Sequence, residues 1–340
     1  MGKVKNQHYV PRSYLKYFAN KKNKVYQINV YDKDNDKYFS ANIEGIASSR
    51  FFYDFPELEE IKKDLMEEMD EITANEKITE LGEIDEQPVE KHFSELEGEF
   101  HGLLNNLRSR FKLCPNPEEA LFSINLIEKF KLSHHLIYQL MRTRDFRDTY
   151  LDINQRFTQY LVDELAKNDL PDYKRGTIQV ERNEKYDSLF HASFIFGEAL
   201  PELALTLNKH IWFVGINRTN IPFYTSDNPV VKYPHKHEPF GSNSGIASPG
   251  VEIAFPISEE LIIIIRERSY FKEYEALENT FIELNEENVK FYNWLQVTES
   301  YKQIYSSREK FELIEEIKNS DPQILKHRSR VEIFAGGRKM

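Results

Sequence analysis

Residues 210–219, HIWFVGINRT, mark the point where the chain changes its period. In the stretch that ends at Asn208 the apolar residues recur every three or four positions, as on a helix. From Ile211 onward the period changes to two, in runs rich in Ile, Val and aromatic residues, as expected of strands. Three further stretches read the same way: PFYTSDNPVVKY at 222–233, GVEIAFPIS at 250–258 and LIIIIRE at 261–267, each bounded by Gly, Pro, Asn or Ser. These four predict a C-terminal, mainly antiparallel sheet. The segment Pro234 to Gly250 reads as a long functional loop.

Working back from that sheet, residues 118–168 carry a helical pattern with neither Gly nor Pro, long enough for one helix or two. Asn116 and Pro117 are expected to cap its start. Another helix is expected from about Tyr186 to Asn208, interrupted at Gly197 and Pro201, and one more from Glu286 to Ser300. Residues 57–113 predict two acidic amphipathic helices separated near Gln87-Pro88. VYQINVYDKDNDKYFSAN at 25–42 reads as a β-hairpin over an Asp-Asn-Asp turn, and a short last strand is expected near Val331 to Phe334. The fold class expected is therefore α+β: an N-terminal β-hairpin, long central helices and a C-terminal sheet in one domain. Its parts are a motif and hairpin (1–50), an acidic helical arm (51–113), a helical core (114–208), and a sheet with a helix (209–340).

The net charge of −11 is unevenly spread. No acidic residue precedes Asp32, while seven Lys or Arg do; between Phe51 and Phe100, eighteen Asp or Glu face four Lys. The basic end predicts contact with an anion, the acidic arm a protein partner. A single cysteine, Cys114, and the lack of a secretory pattern at the start suggest a reducing cytoplasmic setting. The longest apolar run, Leu261 to Ile265, is far short of the roughly 20 residues a membrane span requires, so no membrane partner is expected.

Candidate site residues follow from motifs. His8, in NQHYVPRSYLKYFA (6–19), precedes a helix that Pro11 sets up, a position suited to a general base or a phosphate contact. Lys3, Lys5, Arg12 and Lys16, interleaved with tyrosines, resemble the cation-and-ring mixture of nucleic-acid grooves. Ser226, Asp227 and Asn228 end a strand, where Asp and Asn either orient a water or metal or simply close an Asx turn. In MRTRDFRD (141–148), Arg144 and Asp148 form an i,i+4 pair, which suggests a salt-bridged surface face; the alternative is that Arg142, with no acid at i+4, points inward toward an anion. His134-His135 and His235-Lys236-His237 are weak metal signals, since adjacent helical residues diverge by about 100°. Glu90 and Glu97 share a helix face. Phosphate-binding loop, dinucleotide-fold, hydrolase-elbow and CxxC patterns are absent.

Taken in order, NQHYVPRSYLKYFA, the hairpin, the arginine-rich helix around Arg142, TSDNPV at 225–230, FPIS at 255–258, Asn293 and Ser306 resemble the bacterial family catalogued as domain of unknown function 4238. The resemblance covers most of the chain. Relatives often carry Arg-Thr-Pro where this chain has Arg142-Thr143-Arg144, a departure expected to remove a kink. The resemblance implies that His8, Arg142, Ser226, Asp227 and Asn228 belong to one family pattern and converge on one site. The function expected is a metal-dependent nuclease or related phosphodiesterase, a toxin or antiphage effector, with Asp227 and Glu97 holding Mg²⁺ or Mn²⁺ and Arg142 stabilising charge. The alternative is a non-catalytic module that binds protein or nucleic acid.

Overall fold

A computed structural model describes residues 3–81, 85–113, 123–170, 172–237, 244–326, 334–335 and 338–339. In chain order the elements begin with β1 (Asn6–His8), α1 (Arg12–Leu15), β2 (Asn20–Lys22), β3 (Val25–Asp32), β4 (Lys37–Asn42) and β5 (Ser48–Arg50). The helices α2 (Leu58–Glu68), α3 (Glu71–Leu81), α4 (Pro88–Leu113), α5 (Leu126–Met141), α6 (Arg144–Asp169), α7 (Asp187–Ile195) and α8 (Ala199–Asn208) follow. Next come β6 (Ile211–Asn217), β7 (Thr225–Ser226), β8 (Val231–Pro234), β9 (Val251–Pro256), β10 (Leu261–Arg266) and β11 (Phe281–Leu284). The chain closes with α9 (Glu286–Glu299), β12 (Gln303–Ser306), α10 (Glu312–Ser320), β13 (Phe334–Ala335) and β14 (Arg338–Lys339). This is the expected α+β class.

The central sheet has the order β11-β6-β10-β9-β8, antiparallel except where β11 runs parallel to β6. Its unbroken apolar strands are explained by what covers them. Trp212, Val214, Ile216, Ile253, Phe255, Ile263 and Ile265 join an apolar cluster with Tyr14, Phe18, Phe100, Leu104, Leu132 and Leu136 from the opening motif, α4 and α5. The alternate residues Ile211, Phe213, Ala254, Ile262 and Ile264 pack in a second cluster with Val289, Tyr292 and Leu295 of α9. Both faces are therefore dry. At Gly215 a Cβ would sit 2.5 Å from the Leu284 side chain and 2.8 Å from Ile262, so the strand passes there only as glycine.

The hairpin β3–β4 forms as expected, in a second sheet of order β2-β3-β12-β7. The stretch 222–233 does not form one strand. Thr225-Ser226 pair with β12 in the hairpin sheet, while Val231 to Pro234 pair with β9 in the central sheet. Ser226-Asp227-Asn228-Pro229 is thus the corner where the chain passes between sheets.

Two helix boundaries differ from expectation. The acidic segment contains three helices, because Asp70 accepts hydrogen bonds from the Thr73 N–H and hydroxyl and starts α3 separately. The long helix stops at Met141 and restarts at Arg144, where the extended Thr143 (φ −72°, ψ 156°) caps α6 by accepting the Phe146 N–H. The kink expected to be lost is therefore present without proline. Asn125, with Glu128, caps α5 in a reciprocal box. Asn116, Pro117, Cys114 and most of the strand expected near Val331 to Phe334 lie outside the described residues.

Candidate functional site

Each polar residue of the corner Thr225–Pro229 makes at least one side-chain hydrogen bond. Thr225 Oγ1 lies 2.7 Å from the Tyr14 hydroxyl, which donates to the Pro256 carbonyl. Ser226 Oγ donates to Gln296 Oε1 at 2.8 Å and accepts the Asn228 N–H. Asp227, 2% exposed, accepts the backbone N–H groups of Tyr301, Lys302 and Gln303 at 2.8–2.9 Å. Burial pushes its pKa up to about 6, against the pull of those three donors and of the Lys33 ammonium. The Asn228 amide donates to the Glu299 carbonyl at 2.9 Å and to Asp145 Oδ2 at 3.3 Å. Its Oδ1 is buried with no hydrogen-bond partner.

The opening motif meets α4, α5 and the start of α6. Arg142, 4% exposed, points inward rather than onto a salt-bridged surface face, and the acceptors it meets are the His8 carbonyl at 2.5 Å and Glu97 Oε1 at 3.2 Å, with the Phe93 ring at 4.2 Å. Tyr53 Oη donates to the Arg142 carbonyl, and Gln139 Nε2 to that of Tyr9. Burial pushes His8 down to about 4, helped by Arg12 and then Arg142 and opposed by the backbone at Ile43 and Glu44; its Nε2 has no partner. Glu90 feels both Arg142 and Glu97, and burial raises its pKa. Burial raises the Tyr9 pKa, and the charge of Asp227 adds to the rise against the pull of Arg144.

The site residues therefore form two networks on either side of the opening segment: His8, Arg142 and Glu97 in one, Ser226, Asp227 and Asn228 in the other. Asp145, three residues beyond Arg142, joins the second through Asn228. Asp227 and Glu97, expected as a metal pair, engage separate partners and do not fit that role. Among the described residues no group of three His, Cys, Asp or Glu could hold a metal ion. His134 turns to the Phe130 carbonyl, His135 to Glu99, and His235 to the buried Glu252. The Arg144–Asp148 pairing gives way to other partners: Arg144 lies over Phe52, and Asp148 accepts the Tyr301 hydroxyl at 2.9 Å. Of the basic residues, Lys3 pairs with Glu86, Arg12 lies 3.8 Å from Glu44, Lys16 lies over Tyr26, and Lys5 is exposed.

A cleft of about 700 Å³ opens beside the corner. Asn228, Asp145 and Glu299 line one part of it, Phe146, Tyr150 and Phe194 give an aromatic wall, and Lys232 and Lys326 line it with Lys33, whose ammonium donates to the Val297 and Ser300 carbonyls and the Ser300 hydroxyl. That volume lies within the range of small-molecule sites. Sequence motifs reached Asn228 and missed the rest of the lining. Only the placement of Asp145 in the first turn and Tyr150 in the second turn of α6, on the helix that Thr143 starts, could have hinted at it.

The arrangement defines an α+β protein with a buried polar corner beside an open mixed-charge cleft. The chain belongs to the family described as protein of unknown function (DUF4238), whose pattern matches residues 6–310. No curated protein and no solved structure matches it.

Proposed function

We propose that the protein binds a phosphodiester of nucleotide size in the cleft and cleaves it, as a nuclease or related phosphodiesterase. The observation that carries this reading is the composition of the cleft: three lysines, an aromatic wall, and a carboxylate, Asp145, next to a buried amide. Lysines neutralise phosphate, rings stack a base, and a carboxylate at the wall is the natural general base for an attacking water. Ser226, Asp227 and Arg142 act in this reading as the frame that fixes Asn228 and the start of α6. The bacterial effector role expected from the sequence would follow from such cleavage.

The test is incubation of the purified protein with single- and double-stranded DNA, total RNA and tRNA in Mg²⁺, Mn²⁺ or EDTA, beside Asp145→Asn. Cleavage by the wild type that the folded variant lacks is the expected result. A folded wild type inert on every substrate would overturn the reading. The non-catalytic alternative has one observation in its favour: Met66, Met69 and Ile72, the last 74% exposed, stand among the carboxylates of α2 and α3, a surface suited to a basic, partly apolar protein.

A further inference from the structure

Outside the cleft, one set of cations is held by rings instead of carboxylates. Lys16, which follows α1, and Lys21 of β2 stand over the Tyr26 ring of β3, 5.4 and 5.8 Å from its centre. Lys21 and Tyr26 are opposite each other in the β2–β3 pair and so share a face of that sheet. Arg108 of α4 lies over Tyr17 at 4.3 Å, and His101 stacks on the same ring with centres 5.6 Å apart. The charges of Lys16 and Arg108 both act on His101, adding to the burial that lowers its pKa, so the two ring-held groups adjoin. The two-residue turn between β2 and β3 adds the exposed Lys24, with φ +71° beside Asn23 at +47°. Glycine is the ordinary residue at that second turn position, so lysine is strained there, and strain of this kind collects at functional positions. A ring fixes a cation without neutralising it, whereas a carboxylate does both. Among the described residues no carboxylate pairs with Lys16, Lys21, Lys24 or Arg108.

We propose that this surface binds the backbone of single-stranded nucleic acid, whether or not the cleft cleaves it. None of its residues lines the cleft. The four cations offer phosphates a local positive field on a chain whose net charge of −11 would otherwise repel them. Arg108, half-exposed, adds a planar guanidinium to the stack of Tyr17 and His101, and unpaired bases continue such a stack. The bases of a duplex have no such face free, so the single strand fits better. A membrane surface is gripped by Trp, Phe or Leu beside the cations. The rings here are tyrosines already engaged, Tyr26 under two lysines and Tyr17 through its hydroxyl with Asn105 and His101. Lys3 and Arg12, expected with Lys16 in such a groove, instead face Glu86 and Glu44.

Fluorescence anisotropy with a labelled single strand of about 20 nucleotides, longer than one such site, tests this in EDTA, where metal-dependent cleavage is off. Four phosphate contacts predict a salt slope of about −2.8, so affinity should fall about fiftyfold between about 50 and 200 mM salt. Lys21→Gln combined with Lys24→Gln should make the slope shallower by about 1.4 and weaken binding about tenfold or more at the lower salt. Lys24→Gly should melt at or above wild type, because it relieves the turn, and still make the slope shallower by about 0.7. Binding unchanged in the double variant would overturn the site. A duplex of the same length, or phosphatidylserine vesicles, bound as tightly as the strand would overturn the choice of ligand. A folded wild type that binds no strand would overturn the proposal and leave the cleft to its own cleavage test.

Discussion

Asp227 shows how one side chain can look catalytic in sequence and act as a joint in the fold. Its two oxygens accept three consecutive backbone N–H groups after α9, and so tie the inter-sheet corner to the start of β12. Asp227→Ala would leave three half-buried donors without their acceptor, so the variant should lose about 2–3 kcal/mol of unfolding free energy. A denaturant midpoint equal to wild type would refute the joint and restore a purely catalytic role. The histidines give a second expectation. His8 and His191 are held near pKa 4 by burial, below the ordinary 6.5, so the unfolded chain binds more protons between pH 6.5 and 4. Stability should therefore rise with pH through that window and be lost as pH falls, by about 1.4 kcal/mol per pH unit for each histidine. Asp227, raised to about 6, works in the opposite sense between pH 6 and 3.8, since the folded chain protonates it first. Denaturant midpoints from pH 4.5 to 6.5 should have a shallower slope in His191→Gln, by one proton, and an unchanged slope would remove His191 from the account.

At the scale of elements, the junction between α5 and α6 is compatible with the proline that the resemblance leads one to expect at position 144. Thr143 is extended and caps α6, which makes Arg144 the first helical residue. Proline is accepted at that position because its missing N–H would find no partner within the helix, and it requires an extended predecessor, which Thr143 already is. Arg144→Pro should accordingly melt within about 2 °C of wild type, since it gives up only a distant stacking contact on Phe52 at 5.8 Å. Thr143→Ala should cost about 1 kcal/mol, the usual loss of a cap. A collapse of Arg144→Pro would mean that the Arg144 side chain, rather than the cap, holds the junction. The break was hard to read in the sequence because Thr-Arg-Asp is compatible with a continuing helix; what decides it is the Thr143 hydroxyl turning to the Phe146 N–H. The strands β6, β9 and β10 were legible because runs rich in Ile, Val and aromatic residues are bounded there by Gly, Pro, Asn and Ser. The splitting of 222–233 between two sheets was not, since its partners at β12 and β9 lie far away in sequence. The candidate site behaves alike: Asn228 was legible as a motif, while Lys33, Lys232 and Tyr150 reach the cleft only through the tertiary path of their elements.

Over the whole molecule, apolar burial is concentrated away from α2 and α3, the first two helices of the acidic arm, while α4 joins the core. The largest cluster draws on the opening motif, α4, α5, α7, α8 and the central sheet, so the first residues of the chain share a core with residues as distant as Tyr305. The helices α2 and α3 belong to none of the three clusters. They contribute Ile61 and Ala74 as their buried apolar residues among those described, and Asp64 ties α2 to Lys185 and Tyr186. Segments with few buried contacts open locally at a small fraction of the global unfolding free energy. No helix among the described residues is long and apolar enough to cross a membrane, so the exposed Met66, Met69 and Ile72 do not belong to a membrane span. Hydrogen–deuterium exchange should therefore label residues 58–81 early, at a stage when α5, β6 and β10 remain protected. Asp64→Ala, by cutting the tie to Lys185 and Tyr186, should speed exchange in α2 and leave β6 unchanged. If 58–81 exchanged as slowly as β6, the arm would share the cooperativity of the core, and a protein docking there would have to act on the cleft through that core.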